Sequence, residues 1–299
     1  METTREYKDR LFKFIFGNPQ HKEWTLSLYN AINGSNYTNT DDLEFTTIEN
    51  AVYMSMKNDV SFLVNDTMNL YEQQSTFNPN MPVRFLIYSG MIYSKHIDKS
   101  KKYHIYSTRL QKLPIPRCIC FYNGKTEKDD RTILRLSDAF SVQGKADIEV
   151  TVTMINVNYG HNNSLLEDCM PLGDYSFFVE RVRQNYTIYG DADKAIDRSL
   201  EELPDNSLIK PFLMNNKAEV KNMCITEYNE EKAMAVLKEE FLEEGIEKGI
   251  EQGIQKGIEK GKFETLSELV KNDDLPIEVA AKKMKMTVEE FKSIMDQVP

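Results

Sequence analysis

Cysteine, histidine and tryptophan are scarce in this 299-residue chain: four, four and one. Four cysteines (Cys118, Cys120, Cys169 and Cys224) are too few for a disulfide framework. The Cys118-x-Cys120 pair has no second pair at zinc-site spacing, so reduced, structural thiols are expected. His21, His96, His104 and His161 are scattered without metal-ligand spacing, which argues against a zinc site or a histidine-based nuclease. The sequence has no P-loop, and no Ser-His-Asp or Cys-His arrangement is favoured by spacing. Long apolar runs are missing too. The best candidate, VRFLIYSGMIY, holds an Arg and a Gly and falls well short of the ~18 residues a membrane helix needs. METTREYKDRLFKFIFG has no apolar stretch ahead of a small-residue cleavage site, so no signal peptide, no membrane association and a cytoplasmic location are expected. Positive charge is in deficit: 37 Lys and Arg against 47 Asp and Glu, a net charge of −10. That balance argues against binding nucleic acid over the whole surface and leaves a local basic face open.

What is present is a globular composition, 40% hydrophobic and 28% charged, which excludes wholesale disorder. The length allows one large domain or two ordinary ones. Apolar positions from Tyr7 to Phe16 follow helical spacing, with Gly17 and Pro19 as the stop, and a second helix is expected from Lys22 to Ile32, ending at Asn33-Gly34. A β-rich stretch then runs from about Thr46 to Ser75. Its centre is DVSFLV and NLYEQQS, joined by Asn65-Asp66-Thr67-Met68 as a hairpin. VRFLIYSGMIYSKHI reads as a helix with Arg84 and Tyr88 four residues apart, IPRCICFYNG as a buried strand, and DIEVTVTMINVNYG as a strand that alternates by twos. This order predicts an α/β or α+β layer fold. Helices follow from Tyr175, and from about Glu230 a charged helical tail begins. A terminal helical pair is expected, broken at Asn272-Asp273-Asp274-Leu275-Pro276, with Thr287 as an N-cap and Glu290 three residues on.

The hairpin carries the candidate chemistry. With Asn65 opposite Met68, Ser61 faces Glu72 and Asp59 faces Gln74, so Asp59, Glu72 and Gln74 project from one face. A one-residue slip would separate Asp59 from the other two. Two carboxylates one diagonal step apart, with waters and a substrate phosphate, suit Mg²⁺, and a metal held there would activate water against a phosphodiester. Gln74 could orient that water. The same acidic pair is also what a solvated hairpin face presents.

Asp, about a dozen residues, then Glu-x-Gln on adjacent strands resembles the PD-(D/E)xK nuclease core. The wider sequence is similar to one branch of it, the Rpn family of recombination-promoting nucleases, also called PD-(D/E)xK family transposases. The landmarks fall in order: YKDRLFKFIFG, the Asp59 strand, Glu72-Gln73-Gln74, the Arg84-to-Tyr88 helix, LPIPRCICFYNG, KAEVKNM and the G-I-E-K tail. The resemblance implies a restriction-endonuclease-like mixed sheet flanked by helices (1–160), a helical part packed on it (161–228) and a helical C-terminal extension (229–299). It implies that Asp59 and Glu72 bind Mg²⁺ or another divalent cation such as Mn²⁺, with Asp9 of the first helix completing the site. Gln74 stands where the wider superfamily has a Lys, and a neutral amide cannot stabilise a developing phosphorane charge as an ammonium does. The implied activity is a metal-dependent DNA endonuclease that promotes recombination or defends a bacterial cytoplasm against foreign DNA. The alternative is a catalytically weak or silent relative that binds DNA or a partner protein.

Residues 82–145 carry 13 Lys and Arg against five acids, a net +8 inside this candidate core. Arg84, Lys99, Lys101, Lys102 and Lys125 are the expected nucleic-acid contacts, suited to phosphates rather than base edges. Asn123-Gly124 reads as a tight turn. In the tail, Gly245, Gly249, Gly253, Gly257 and Gly261 recur every four residues beside Ile246, Ile250, Ile254 and Ile258. Each Gly costs a helix ~1 kcal/mol relative to Ala, but glycines at this spacing let a second backbone approach. The repeat is therefore expected to be a helical association or linker element, and a homo-oligomer through Gly245–Gly261 is the partner it would allow.

Overall fold

The computed structural model describes residues 10–46, 59–99, 106, 108, 110–142 and 144–295; side chains at 98–99, 226–241, 243, 244, 247 and 251 lie outside that description. The chain forms two units, Met1–Asn229 and Glu230–Pro299.

The first unit is a mixed α/β fold. Helices α1 (Arg10–Phe16) and α2 (Lys22–Asn33) precede strands β1 (Leu43–Phe45), β2 (Val60–Val64) and β3 (Thr67–Gln74). Helix α3 (Met81–Lys99) leads to β4 (Ile115–Tyr122), β5 (Arg131–Arg135) and β6 (Thr151–Asn156), followed by α4 (Asn163–Asp168), α5 (Met170–Tyr189), α6 (Ala192–Glu202) and α7 (Lys210–Asn215). The strands make one sheet in the order β1-β2-β3-β4-β6-β5. β3, β4 and β6 run parallel; the flanking pairs β1/β2, β2/β3 and β5/β6 are antiparallel. Two expected helices are found with their stops: α2 ends at Gly34, whose φ of 62° is the left-handed cap a glycine adopts without a Cβ clash, its N–H bonded to the Asn30 carbonyl.

Alternation sorts β3 between two cores. Tyr71 points to one face with Phe12, Phe16, Leu28, Phe121 and Tyr175, under α1, α2 and α5. Met68 and Leu70 point to the other, where Phe85, Tyr88 and Ile92 of α3 cover Cys120, Tyr122 and Met154. Every β3 residue after Thr67 is therefore buried, as central strands covered on both faces require. IPRCICFYNG, expected to be buried throughout, is exposed over Ile115–Arg117 and buried from Ile119 onward. β1 and β5 were not expected: LEF is too short to show a period, and RTILR lies between charged and polar flanks.

The hairpin register differs from the expected one by two residues. Val64 pairs with Thr67, so the turn is Asn65-Asp66 alone, both residues left-handed at φ 45° and 55°. Such two-residue turns match the twist of an antiparallel pair and favour Asn and Asp. Ser61 consequently faces Leu70, not Glu72. A slip of two leaves each side chain on its face, and the hairpin's continuation puts Asp59 opposite Glu72 instead of Gln74.

Asn123-Gly124, expected as a tight turn, is instead a buried stretch that continues from β4: the Asn123 N–H donates to the Gln74 carbonyl at 3.1 Å, and the chain bends only at Lys125-Thr126. Asn123 accepts from Gln73 Nε2 at 2.5 Å and donates to the Tyr175 hydroxyl at 2.8 Å. A Cβ on Gly124 would collide with the Ser75 carbonyl and the Tyr122 ring.

The second unit is helical. Helix α8 (Lys217–Lys271) supplies Phe263 and Leu266, which pack with Ala280 and Ala281 of α9 (Ile277–Met284) and Phe291 of α10 (Val288–Met295). The expected break falls between α8 and α9. Thr287 and Glu290 form a reciprocal cap: the Thr287 N–H donates to Glu290 Oε2 at 2.9 Å, and the Glu290 N–H to Thr287 Oγ1 at 3.2 Å. Along α8, Ile246, Ile250, Ile254 and Ile258 are each more than half exposed, and a methyl added at any repeat glycine meets nothing within 4 Å.

Candidate functional site

Asp59 and Glu72 meet at the start of β2. The contact is reciprocal: the Asp59 N–H donates to Glu72 Oε1 at 3.2 Å, and the Gln73 N–H donates to Asp59 Oδ2 at 2.8 Å. Each carboxylate thus fills a backbone position of the other strand. Glu72 is 1% exposed. Burial raises the pKa of the Asp59 carboxyl to about 7, against the lowering pull of the Gln73 N–H, Arg84 and Lys13. Burial, then the neighbouring Asp59, pushes Glu72 well above the usual carboxylate range.

Helix α3 brings a cation to this pair. Arg84 Nη2 lies 2.9 Å from Glu72 Oε2. The same guanidinium donates to the Tyr88 hydroxyl through Nη2 at 2.8 Å and Nε at 3.2 Å, the one-turn spacing read from sequence. Burial opposes the Arg84 charge, but Glu72 and then Tyr88 more than offset it, so its pKa rises. Burial and Glu72 hold the Tyr88 hydroxyl protonated. Gln74 completes the arrangement. With its amide oriented to match donors with acceptors, Oε1 accepts from Arg84 Nη1 at 2.7 Å and Nε2 donates to the Thr76 carbonyl at 3.2 Å. Arg84 therefore holds Glu72, Gln74 and Tyr88 together.

A second cation comes from α1. A Cβ on Gly17 would lie 3.3 Å from Lys13 Cγ and 3.4 Å from Val60 Cγ2, which places the Lys13 stem beside the residue that follows Asp59. Its charge favours the ionised form of both acids.

Of the expected site residues, Asp59, Glu72 and Gln74 come together. Arg84, expected among the nucleic-acid contacts, lies within this cluster instead. Lys125 is exposed on the loop after Gly124. Lys99 ends α3, its side chain outside the described residues, as are Asp9, Lys101 and Lys102 altogether. Sequence reasoning missed Lys13 and the inward aim of Arg84. The available signals were the position of Lys13 in the opening helix and the Arg84–Tyr88 spacing.

The donor set fits a hard divalent cation in kind. It offers two carboxylates across a strand pair, each disfavoured as an anion by burial, with Glu72 further disfavoured by Asp59. Among the described residues no group of three or more His, Cys, Asp and Glu side chains forms a metal-holding set. Among them, too, no helix is long and apolar enough to cross a membrane. Compared with protein-family models, with curated proteins and with solved structures, the chain finds no match in any of the three.

Proposed function

We propose that the first unit is a metal-dependent DNA endonuclease of the PD-(D/E)xK kind, acting in recombination or in defence against foreign DNA within a bacterial cytoplasm. The observation that carries this reading is the carboxyl pair of half-buried Asp59 and buried Glu72, clasped across the start of β2. Asp59 and Glu72 would hold Mg²⁺ or Mn²⁺, with Asp9 as a further ligand. A divalent cation supplies polarisation of a phosphodiester and a water acidic enough to attack it. The chain's own residues do the positioning. Tyr88 anchors Arg84, Arg84 orients Glu72, and Gln74 braces the guanidinium. Arg84 and Lys13 provide the positive charge that a Lys at position 74 would have brought, so the neutral amide there costs less than its type suggests. Lys99, Lys101, Lys102 and Lys125 would hold the DNA.

A second reading, a silent relative that binds DNA or a protein, is favoured by one observation: Arg84 already neutralises Glu72. The exposed glycine–isoleucine face of α8 would in either case join it to a second copy, a tendency light scattering of the full chain against one ending at Lys238 would show as a higher mass.

The test is nicking of supercoiled plasmid with Mg²⁺ or Mn²⁺, beside calorimetric titration of each metal. Wild type is expected to take up metal and nick, and Asp59→Ala to do neither while keeping its far-ultraviolet dichroism. Nicking undiminished in that variant rejects the site. An absence of metal uptake in wild type leaves the binding-only reading.

A further inference from the structure

The face of the sheet that carries Tyr71 is covered by helices only in part. Among the described residues, nothing covers β5 and the first halves of β4 and β6 on this face. In β4, Arg117 and Ile115 are exposed, while Ile119 and Phe121 on the same face are buried. Register carries the opening across the sheet. Ile119 pairs with Thr153, Thr153 with Ile133, and Thr151 with Arg135, while Arg131 pairs with Ile155. Directly paired residues share a face, so Arg117, Arg131 and Arg135 stand on one side, with Ile133 between Arg131 and Arg135 and Ile115 beyond Arg117 on β4. All three arginines are exposed, Ile115 by 60% and Ile133 by 46%. Among the described residues no carboxylate lies within ion-pair distance of any of the three, although ion pairs are frequent on α5, α6 and α8. Strand spacing puts the Cα atoms of Arg117 and Arg135 ~10 Å apart across β6, and those of Arg131 and Arg135 ~13 Å apart along β5.

We propose that this open corner binds a single-stranded nucleic acid. Guanidinium groups suit phosphate oxygens, and a cationic surface that follows a strand's backbone recruits it by releasing counterions. The exposed isoleucines beside the arginines decide between strand and duplex. A single strand presents base faces to apolar side chains while its phosphates meet the arginines, whereas a duplex hides those faces. Glu72 belongs to the opposite face, over α3, so this surface is separate from the carboxyl pair and its occupancy needs no metal.

The test uses the full chain and a fluorescein-labelled 20-nucleotide oligo(dT), read by anisotropy in EDTA between 50 and 200 mM salt, with a labelled duplex alongside. Wild type is expected to prefer the single strand. Arg117→Ala/Arg131→Ala/Arg135→Ala is expected to bind at least tenfold more weakly, with the log–log salt slope smaller by about 2. The corresponding triple Lys variant is expected to keep the slope and most of the affinity, which separates lost charge from a damaged sheet. Unchanged binding by the Ala variant, equal loss in the Lys variant, or a wild-type preference for duplex overturns the proposal. Plasmid nicking that fails while oligo(dT) binding is lost only in the Ala variant rejects the nuclease reading alone. Nicking that succeeds while all variants bind equally rejects this surface alone.

Discussion

Truncation of Arg84 to Ala tests the electrostatics of the cluster most directly. The substitution leaves Glu72, 1% exposed, without the counter-charge 2.9 Å away. Breaking one side of a buried pair costs about 3–5 kcal/mol. The Arg84 side chain is 28% exposed, so water screens part of that, and about 2–4 kcal/mol is expected at pH 8. The cost depends on pH with a definite sign. Burial and Asp59 already raise the proton affinity of Glu72, and loss of Arg84 raises it further. A carboxyl that binds its proton more tightly folded than unfolded contributes stability at low pH that is lost as pH rises through its folded pKa. At pH 5 Glu72 is then neutral in the variant, and only the bonds to Tyr88 and the packing of the stem are lost, about 1–2 kcal/mol. Urea unfolding at pH 5 and pH 8 in EDTA measures both. On a Glu72→Gln background the same truncation should cost about 1–2 kcal/mol at either pH. A penalty that is equal at the two pH values, or below about 1 kcal/mol at pH 8, would refute the assignment of Arg84 as the counter-ion.

Asp59→Asn keeps an acceptor for the Gln73 N–H and removes an ionisation that burial opposes. With the folded pKa at about 7 against an ordinary value near 4, the variant should gain about 1–3 kcal/mol over wild type at pH 8, less than half of that at pH 5, and nothing below about pH 3, where the unfolded carboxyl is protonated too. Thermal unfolding in EDTA reads the difference, and a less stable variant at pH 8 contradicts the cause given. Gly249, Gly253 and Gly257 face open space, so replacing all three with Ala should stabilise α8 by about 1 kcal/mol each in circular dichroism melts. The light-scattering mass should fall at the same time, because methyls block close backbone approach, and an unaltered mass dismisses a glycine-mediated contact.

The sequence showed the elements whose signals are local: α2 with its Gly34 stop, the amphipathic α3, the break before α9, the Thr287–Glu290 cap. The hairpin is legible in sequence, but its turn reads as four residues, because Asn65-Asp66 sits beside a Thr67 and Met68 that carry no strong strand signal of their own. The side-chain period of two forgave that error, and Asp59, Glu72 and Gln74 still share a face. β5 escaped because its outer positions, Arg131, Ile133 and Arg135, mix charge with a branched side chain at an uncovered edge, where no burial imposes alternation. The roles of Arg84 and Lys13 were not legible. Their aim depends on where α3 and α1 pack against the sheet, and a basic residue on a helix reads as solvated until the partner surface is known.

The clasp between Asp59 and Glu72 ties acidity to mechanics. Each carboxylate stands in for a rung of the ladder at the place where β2 starts, so the teeth of the zipper and the chemical groups are the same atoms. In alkali, with both acids charged, mutual repulsion acts on the first rung. The hairpin should then open from that end while its Asn65-Asp66 turn stays closed. Whatever neutralises the pair, proton or cation, is also what fastens the seam.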